Sequence, residues 1–163
     1  MVMEVSSQAL KYQRVENLPF DVACFLNIGR DHISPIEHPT FEDYFESKLR
    51  IFDQAKTAVV NLGTEEVGRA LEAASTAERL ATVGVEHPEA SLWASDVRVV
   101  GFNIEFNLHG LCADESEAGE KILLGIAGDF NVENALVAIA AAHEIGIGID
   151  AIKKGLSKLR VPG

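Results

Sequence analysis

Lys48 sits in the aromatic stripe of a helix that the spacing predicts over residues 40–52. At about 100° per residue, Phe41, Tyr44, Phe45, Lys48, Ile51 and Phe52 share one face. Glu42, Asp43, Glu46 and Arg50 share the other. Thr40 and Asp43 have the spacing of a capping box, which sets the helix start. An ammonium among aromatics is costly unless it snorkels to water, pairs with an anion or is chemically altered. The residues alone leave all three open.

Two further groups have the types for chemistry. Glu4 ends a first apolar run, and Asn27, Asp31 and His32 follow a second. A carboxylate with further oxygens suits Mg²⁺ or Mn²⁺, with the imidazole as an unusual partner. Zinc is disfavoured, because no spaced Cys/His set is present. The plainer readings are an edge carboxylate for Glu4 and a surface loop residue for His32. Asn131 and Asn134 are one turn apart on a helix face, so their amides could read a purine edge. By itself, Asn131 reads as an N-cap.

The elements that must position these residues alternate. Apolar strands are expected at residues 1–5, 22–28 and 56–62. Helices are expected from Ser6 or Ser7 to about Tyr12, through the Lys48 segment and over 65–74. Continuous apolar strands separated by helices imply a parallel sheet covered on both faces. Residues 81–85, 92–100 and 101–109 then alternate with no helix between them and read as a small appended antiparallel sheet. Residues 121–127 return to the main sheet. A helix over 131–145 stops at Gly146, and a last one over 150–159 is capped by Asp150. The expected class is therefore α/β: a mostly parallel sheet with helices on both faces, plus a small antiparallel sheet. In such sheets ligands gather beyond the carboxyl ends of the strands. Glu37 and His38, in the polar loop before the Lys48 helix, read as surface residues.

With 163 residues, 47% hydrophobic and 24% charged, the chain has the profile of one globular domain, residues 1–163. A net charge of -11 disfavours nucleic acid and anionic membranes as bulk partners. No apolar run approaches the ~20 residues of a membrane span. Cys24 and Cys112 are far apart and read as free thiols in a reducing cytosol. Neither G-x-x-x-x-G-K-[ST] nor G-x-G-x-x-G after a strand occurs. The apolar start and the loop-like end at 159–163 are those expected of a piece of a longer protein.

Read as an ordered set, several motifs resemble the Mur ligases, the ATP-dependent amide ligases of peptidoglycan synthesis. They are Met3-Glu-Val-Ser-Ser-Gln-Ala-Leu10 with Arg14, Leu26-Asn-Ile-Gly-Arg-Asp-His32, Tyr44-Phe-Glu-Ser-Lys48 and Gly128-Asp-Phe-Asn-Val-Glu-Asn134. The Glu-Val-Ser-Ser opening resembles the UDP-N-acetylmuramoyl-tripeptide synthetase (MurE-like) branch. The resemblance implies the later part of the family's central ATPase domain, with its phosphate-loop segment and C-terminal domain lying outside this chain. It implies Mg²⁺ ligation by Glu4, His32 and a carbamylated Lys48, the last two being catalytic. It implies contacts of Ser6 and Arg14 with a UDP-MurNAc-peptide, and of Asn131, Asn134 and Asn27 with ATP. Gln8 stands where many members have His and is left unassigned.

The implied reaction is cytoplasmic. ATP phosphorylates a substrate carboxylate, the acyl phosphate is attacked by an amino acid's amine, and phosphate leaves. The chain alone is expected to be inactive, with an unmodified Lys48. Two rival readings stand beside it. One is a binding or scaffold module of this fold that has lost its chemistry. The other is a metal-dependent phosphoester hydrolase using Glu4, Asp31 and His32.

Overall fold

The computed structural model describes residues 1–29, 33–34, 36–111 and 118–160. Its most buried strand is β2 (Ala55–Asn61), whose last five residues are all buried. An unbroken apolar run of this kind has to be covered on both sides. β1 (Phe20–Phe25) pairs with it in parallel, Phe20 opposite Ala55 and Phe25 opposite Val60. β3 (Arg79–Val85) pairs in parallel on its other side. β4 (Leu92–Val100), β5 (Asn103–His109) and β6 (Glu120–Leu124) extend the same sheet, giving the order β1-β2-β3-β4-β5-β6. β3 and β4 are parallel, while β4–β5 and β5–β6 are antiparallel.

The helices are α1 (Ser7–Lys11), α2 (Phe41–Leu49), α3 (Val67–Ala74), α4 (Phe130–Glu144) and α5 (Ile149–Leu156). A 3-10 turn, Arg50–Gln54, continues α2. Two cores lie on opposite faces of the sheet. In one, Ala23, Phe25, Ala58 and Val60 meet Tyr44 and Phe45 of α2 and Ala70 and Ala74 of α3. In the other, Val59, Val83, Ile104, Phe106, Leu108 and Ile122 meet α4 and α5.

Two expectations are corrected. Residues 1–5 form no strand, and Met1 and Val2 are wholly exposed. A strand draws its stability from a neighbour, and among the described residues β1 pairs only with β2, so residues 1–5 have not joined the sheet. The second correction concerns residues 81–85, which were expected in a separate antiparallel sheet. They belong to β3, a parallel strand of the single sheet.

β3 and β4 are parallel although only six residues, 86–91, join them. The chain doubles back first. Thr82 N–H donates to Ser91 Oγ and Ser91 N–H donates to Thr82 Oγ1, both at 3.0 Å. By Ser91 the backbone has thus returned to the level of Thr82, and it then runs forward again beside Val83–Val85. Gly84 is required where the loop crosses the strand, since a Cβ there would lie 2.7 Å from that of His87.

Helix ends also shift. α4 starts at Phe130 with Asp129 as its cap residue, one step before Asn131. α5 starts from Gly148, leaving Asp150 inside the first turn. Gly146 ends α4 with φ 84°, as expected of a left-handed stop.

Candidate functional site

Lys48 is half-buried near the end of α2. Thr40 Oγ1 accepts from Asp43 N–H at 3.1 Å, so the predicted cap forms. The buried rings of Tyr44 and Phe45 then anchor the helix, with Phe45 edge-on to Phe25 at 6.1 Å. Lys48 Nζ lies 5.1 Å from the Tyr44 ring centre and 5.9 Å from that of Phe25. It donates to the Asn27 carbonyl oxygen at 3.4 Å. Two ring faces and a carbonyl thus surround Nζ at the carboxyl end of β1. Asn27 contributes its backbone here, and its residue is exposed.

On the other side of the sheet, α4 presents its first turn above the end of β2. Asn131 Nδ2 donates to the Ala127 carbonyl at 2.6 Å, and Asn134 is half-buried one turn on. Glu133 is tied to the sheet, because its Oε2 accepts from Asn61 Nδ2 at 3.1 Å. Asn61 Oδ1 in turn accepts from Gly63 N–H at 3.1 Å. Asn61 is buried, and sequence reading missed both it and Glu133. The available signal was an amide closing the apolar run Ala58-Val-Val-Asn61. β1 and β2 are adjacent and parallel, so Lys48 and the α4 asparagines address one end of the sheet from its two faces.

The Ser6 cap also forms, accepting from Ala9 N–H at 3.1 Å, and α1 follows as predicted. Ser6, Arg14 and Glu4 are exposed, and Glu4 lies in the irregular segment before α1. Asp31 and His32 lie outside the described residues. Among the described residues, no three His, Cys, Asp or Glu side chains gather as a metal-binding group. His38 reverses its expectation. It is fully buried, with Nδ1 2.6 Å from Asp43 Oδ2 and Nε2 2.9 Å from Ser7 Oγ. A polar loop residue is drawn inside because two partners satisfy both ring nitrogens. Lys11 Nζ also donates to Asp43 Oδ2 at 2.6 Å. The hydrogen bond from Lys11, followed by that from His38, holds the Asp43 carboxyl below the usual carboxylate range.

A mixed sheet with helices on both faces, and polar side chains gathered beyond the carboxyl ends of β1 and β2, defines an α/β domain of the kind that takes ligands at that end. The family model "Mur ligase middle domain" matches residues 1–142. The chain is 42% identical over 158 residues to the UDP-N-acetylmuramyl-tripeptide synthetase of Bifidobacterium longum (strain NCC 2705), covering 92% of this chain and 29% of that protein. It is 37% identical over 163 residues to the UDP-N-acetylmuramoyl-L-alanyl-D-glutamate--L-lysine ligase of Streptococcus sanguinis (strain SK36), covering 100% and 31%. The solved structure of a UDP-N-acetylmuramoyl-L-alanyl-D-glutamate--2,6-diaminopimelate ligase superposes with a TM-score of 0.83 at 28% identity, over 98% of this chain and 32% of that one. This chain belongs to the Mur ligase family, within its middle domain. It spans about three tenths of the length of the relatives it matches.

Proposed function

We propose that these residues are the adenine-, peptide- and metal-facing part of a cytoplasmic ATP-dependent ligase. That enzyme adds an amino acid to a UDP-MurNAc-peptide in peptidoglycan synthesis. The observation that carries the reading is Lys48 Nζ, fixed at the carboxyl end of β1 on the sheet end that α4 also reaches.

Asn131 and Asn134 hold the adenine, with Asn27 bordering the nucleotide. The Asn61–Glu133 bond fixes the turn that carries both amides. Ser6 and Arg14, at the two ends of α1, hold the UDP-MurNAc-peptide. The terminal carboxylate of that peptide takes the γ-phosphoryl group of ATP, giving an acyl phosphate and ADP. The amine of the amino acid attacks the acyl carbon, the C–O bond to phosphate breaks, and the amine proton is released.

As an ammonium, Lys48 cannot ligate a cation. Its neutral amine plus CO₂ gives a carbamate and a proton, which turns the side chain into an oxygen donor. Exposed Glu4 is a hard oxygen ligand already, so carbamylated Lys48 and Glu4, with His32, fit Mg²⁺. Bound there, Mg²⁺ offsets charge on the transferring phosphoryl group.

The test uses the complete ligase that contains these residues. ADP is expected only when UDP-MurNAc-dipeptide, amino acid and Mg²⁺ are all present. Lys48→Ala is expected to lower turnover by about 10²–10³-fold, comparable with losing one key electrostatic group. Added short carboxylic acids should restore part of it. Wild-type turnover in that variant would remove Lys48 from the mechanism. ATP-independent phosphoester hydrolysis by this chain would favour a metal-dependent hydrolase instead.

A further inference from the structure

A hydrogen-bonded relay, buried at Ser7 and His38, joins the two elements that carry the peptide-facing and metal-facing residues. α1 has five residues, too few to hold its own place, and buries only Ser7 and Leu10. Ser7 and Lys11 are one turn apart, so both point from the same face of α1. Ser7 Oγ reaches His38 Nε2 at 2.9 Å, and Lys11 Nζ reaches Asp43 Oδ2 at 2.6 Å and the Glu37 carbonyl at 3.2 Å. His38 Nδ1 closes the circuit on the same Asp43 oxygen at 2.6 Å. With Asp43 ionised, Nδ1–H donates to Asp43, and Nε2 shares a hydrogen bond with the Ser7 hydroxyl.

The order Ser–His–Asp is that of a serine hydrolase, but the setting is not. Ser7 is buried, and Asp43 already carries a lysine salt bridge. A group that met only a packing need would be apolar, because burying an imidazole requires both nitrogens to be satisfied. What the relay supplies is a single fixed orientation. Ser6 immediately precedes Ser7, and Lys48 follows Asp43 by little more than one turn of α2.

We propose that His38 is a positioning residue of the ligase. Through Ser7 and Asp43 it holds the α1 end that meets the UDP-MurNAc-peptide in register with the α2 end that carries Lys48. The inference rests on the reading of Ser6 and Arg14 given above, and the controls separate the two. In the complete ligase, Michaelis constants for UDP-MurNAc-peptide and for ATP are measured separately for Ser7→Ala, His38→Ala and His38→Gln. Loss of one hydrogen bond of this kind is expected to raise the peptide constant about threefold to tenfold in Ser7→Ala. The ATP constant should stay within about twofold, since α4 is not part of the relay. His38→Gln keeps an acceptor for Ser7, so it should recover part of what His38→Ala loses.

Ser6→Ala and Arg14→Ala are the controls. If neither raises the peptide constant, the reading of α1 as a peptide site fails. If they do while Ser7→Ala and His38→Ala keep the wild-type constant, the positioning role alone fails. An equal rise in both constants, or a lowered melting temperature with unchanged kinetics, assigns the relay to folding and overturns the proposal. Ser7→Ala removes a single oxygen and decides the matter should His38→Ala not fold.

Discussion

At the scale of single residues, burial decides what each polar group can do. Lys48 was legible as an anomaly, because a cation in an aromatic stripe breaks the helix pattern. What spacing could not give was its partner. The Asn27 carbonyl is 21 residues away and arrives only when β1 packs under α2. His38 was not legible, because a polar residue between prolines reads as surface. Its burial depends on Ser7, 31 positions earlier, and on Asp43. Cys24 follows the same logic in the other direction. Burial against the α4 side of the sheet pushes its thiol up to about 11, disfavouring the thiolate. At pH 8 the folded chain should therefore alkylate at Cys24 roughly 100-fold more slowly than an ordinary cysteine does. Iodoacetamide labelling followed by peptide mass mapping, native and in urea, measures this. Equal rates in the two states would show that the thiol is open to solvent.

At the scale of elements, local chemistry and pairing contribute unequally to what could be read. The starts of α1 and α2 were legible, because Ser6 and Thr40 each cap a backbone N–H three residues on. The strands β1 and β2 were legible as apolar runs, and β3, β4 and β5 as alternation, which assigned β3 to the wrong sheet. The topology was not, for two reasons. Residues 1–5 carry strand-like residues but pair with no strand, although β1 ends the sheet. The 86–91 loop returns the chain so that β4 pairs in parallel, a geometry set by Thr82, Ser91 and Gly84 and not by hydrophobic period. The Thr40 cap also differs from a full capping box, because the Asp43 carboxylate is committed to Lys11 and His38. Thr40→Ala therefore removes one cap bond and nothing else, and should cost about 1 kcal/mol. Urea unfolding of this chain reads the shift in midpoint. A loss several times larger would mean that Thr40 holds the relay as well as the helix.

At the scale of the whole molecule, the two cores share the strands β1 and β2. Ala58 and Val60 of β2 enter the core under α2 and α3, and Val59 enters the core under α4. Opening either face bares β2 to water, so neither core can persist alone and the chain should unfold in one step. Variants on opposite faces test this. Val60→Ala removes two buried carbons at ~0.8 kcal/mol each, plus a small cavity, or roughly 2 kcal/mol. Ile139→Val on α4 should cost about 1 kcal/mol. Both sites are fully or almost fully buried, and they have the sheet between them, so the double variant should lose the sum within about 0.5 kcal/mol. The single tryptophan, Trp93, stacks on His109 at 4.0 Å in the β4–β5 half, so its fluorescence reports that half. Far-UV circular dichroism reports helices on both faces. Coincident transitions by the two probes, in wild type and in each variant, are expected. If Val60→Ala moved the dichroism midpoint while leaving that of Trp93 in place, the chain would not unfold in one step. β2 would then not couple the two cores.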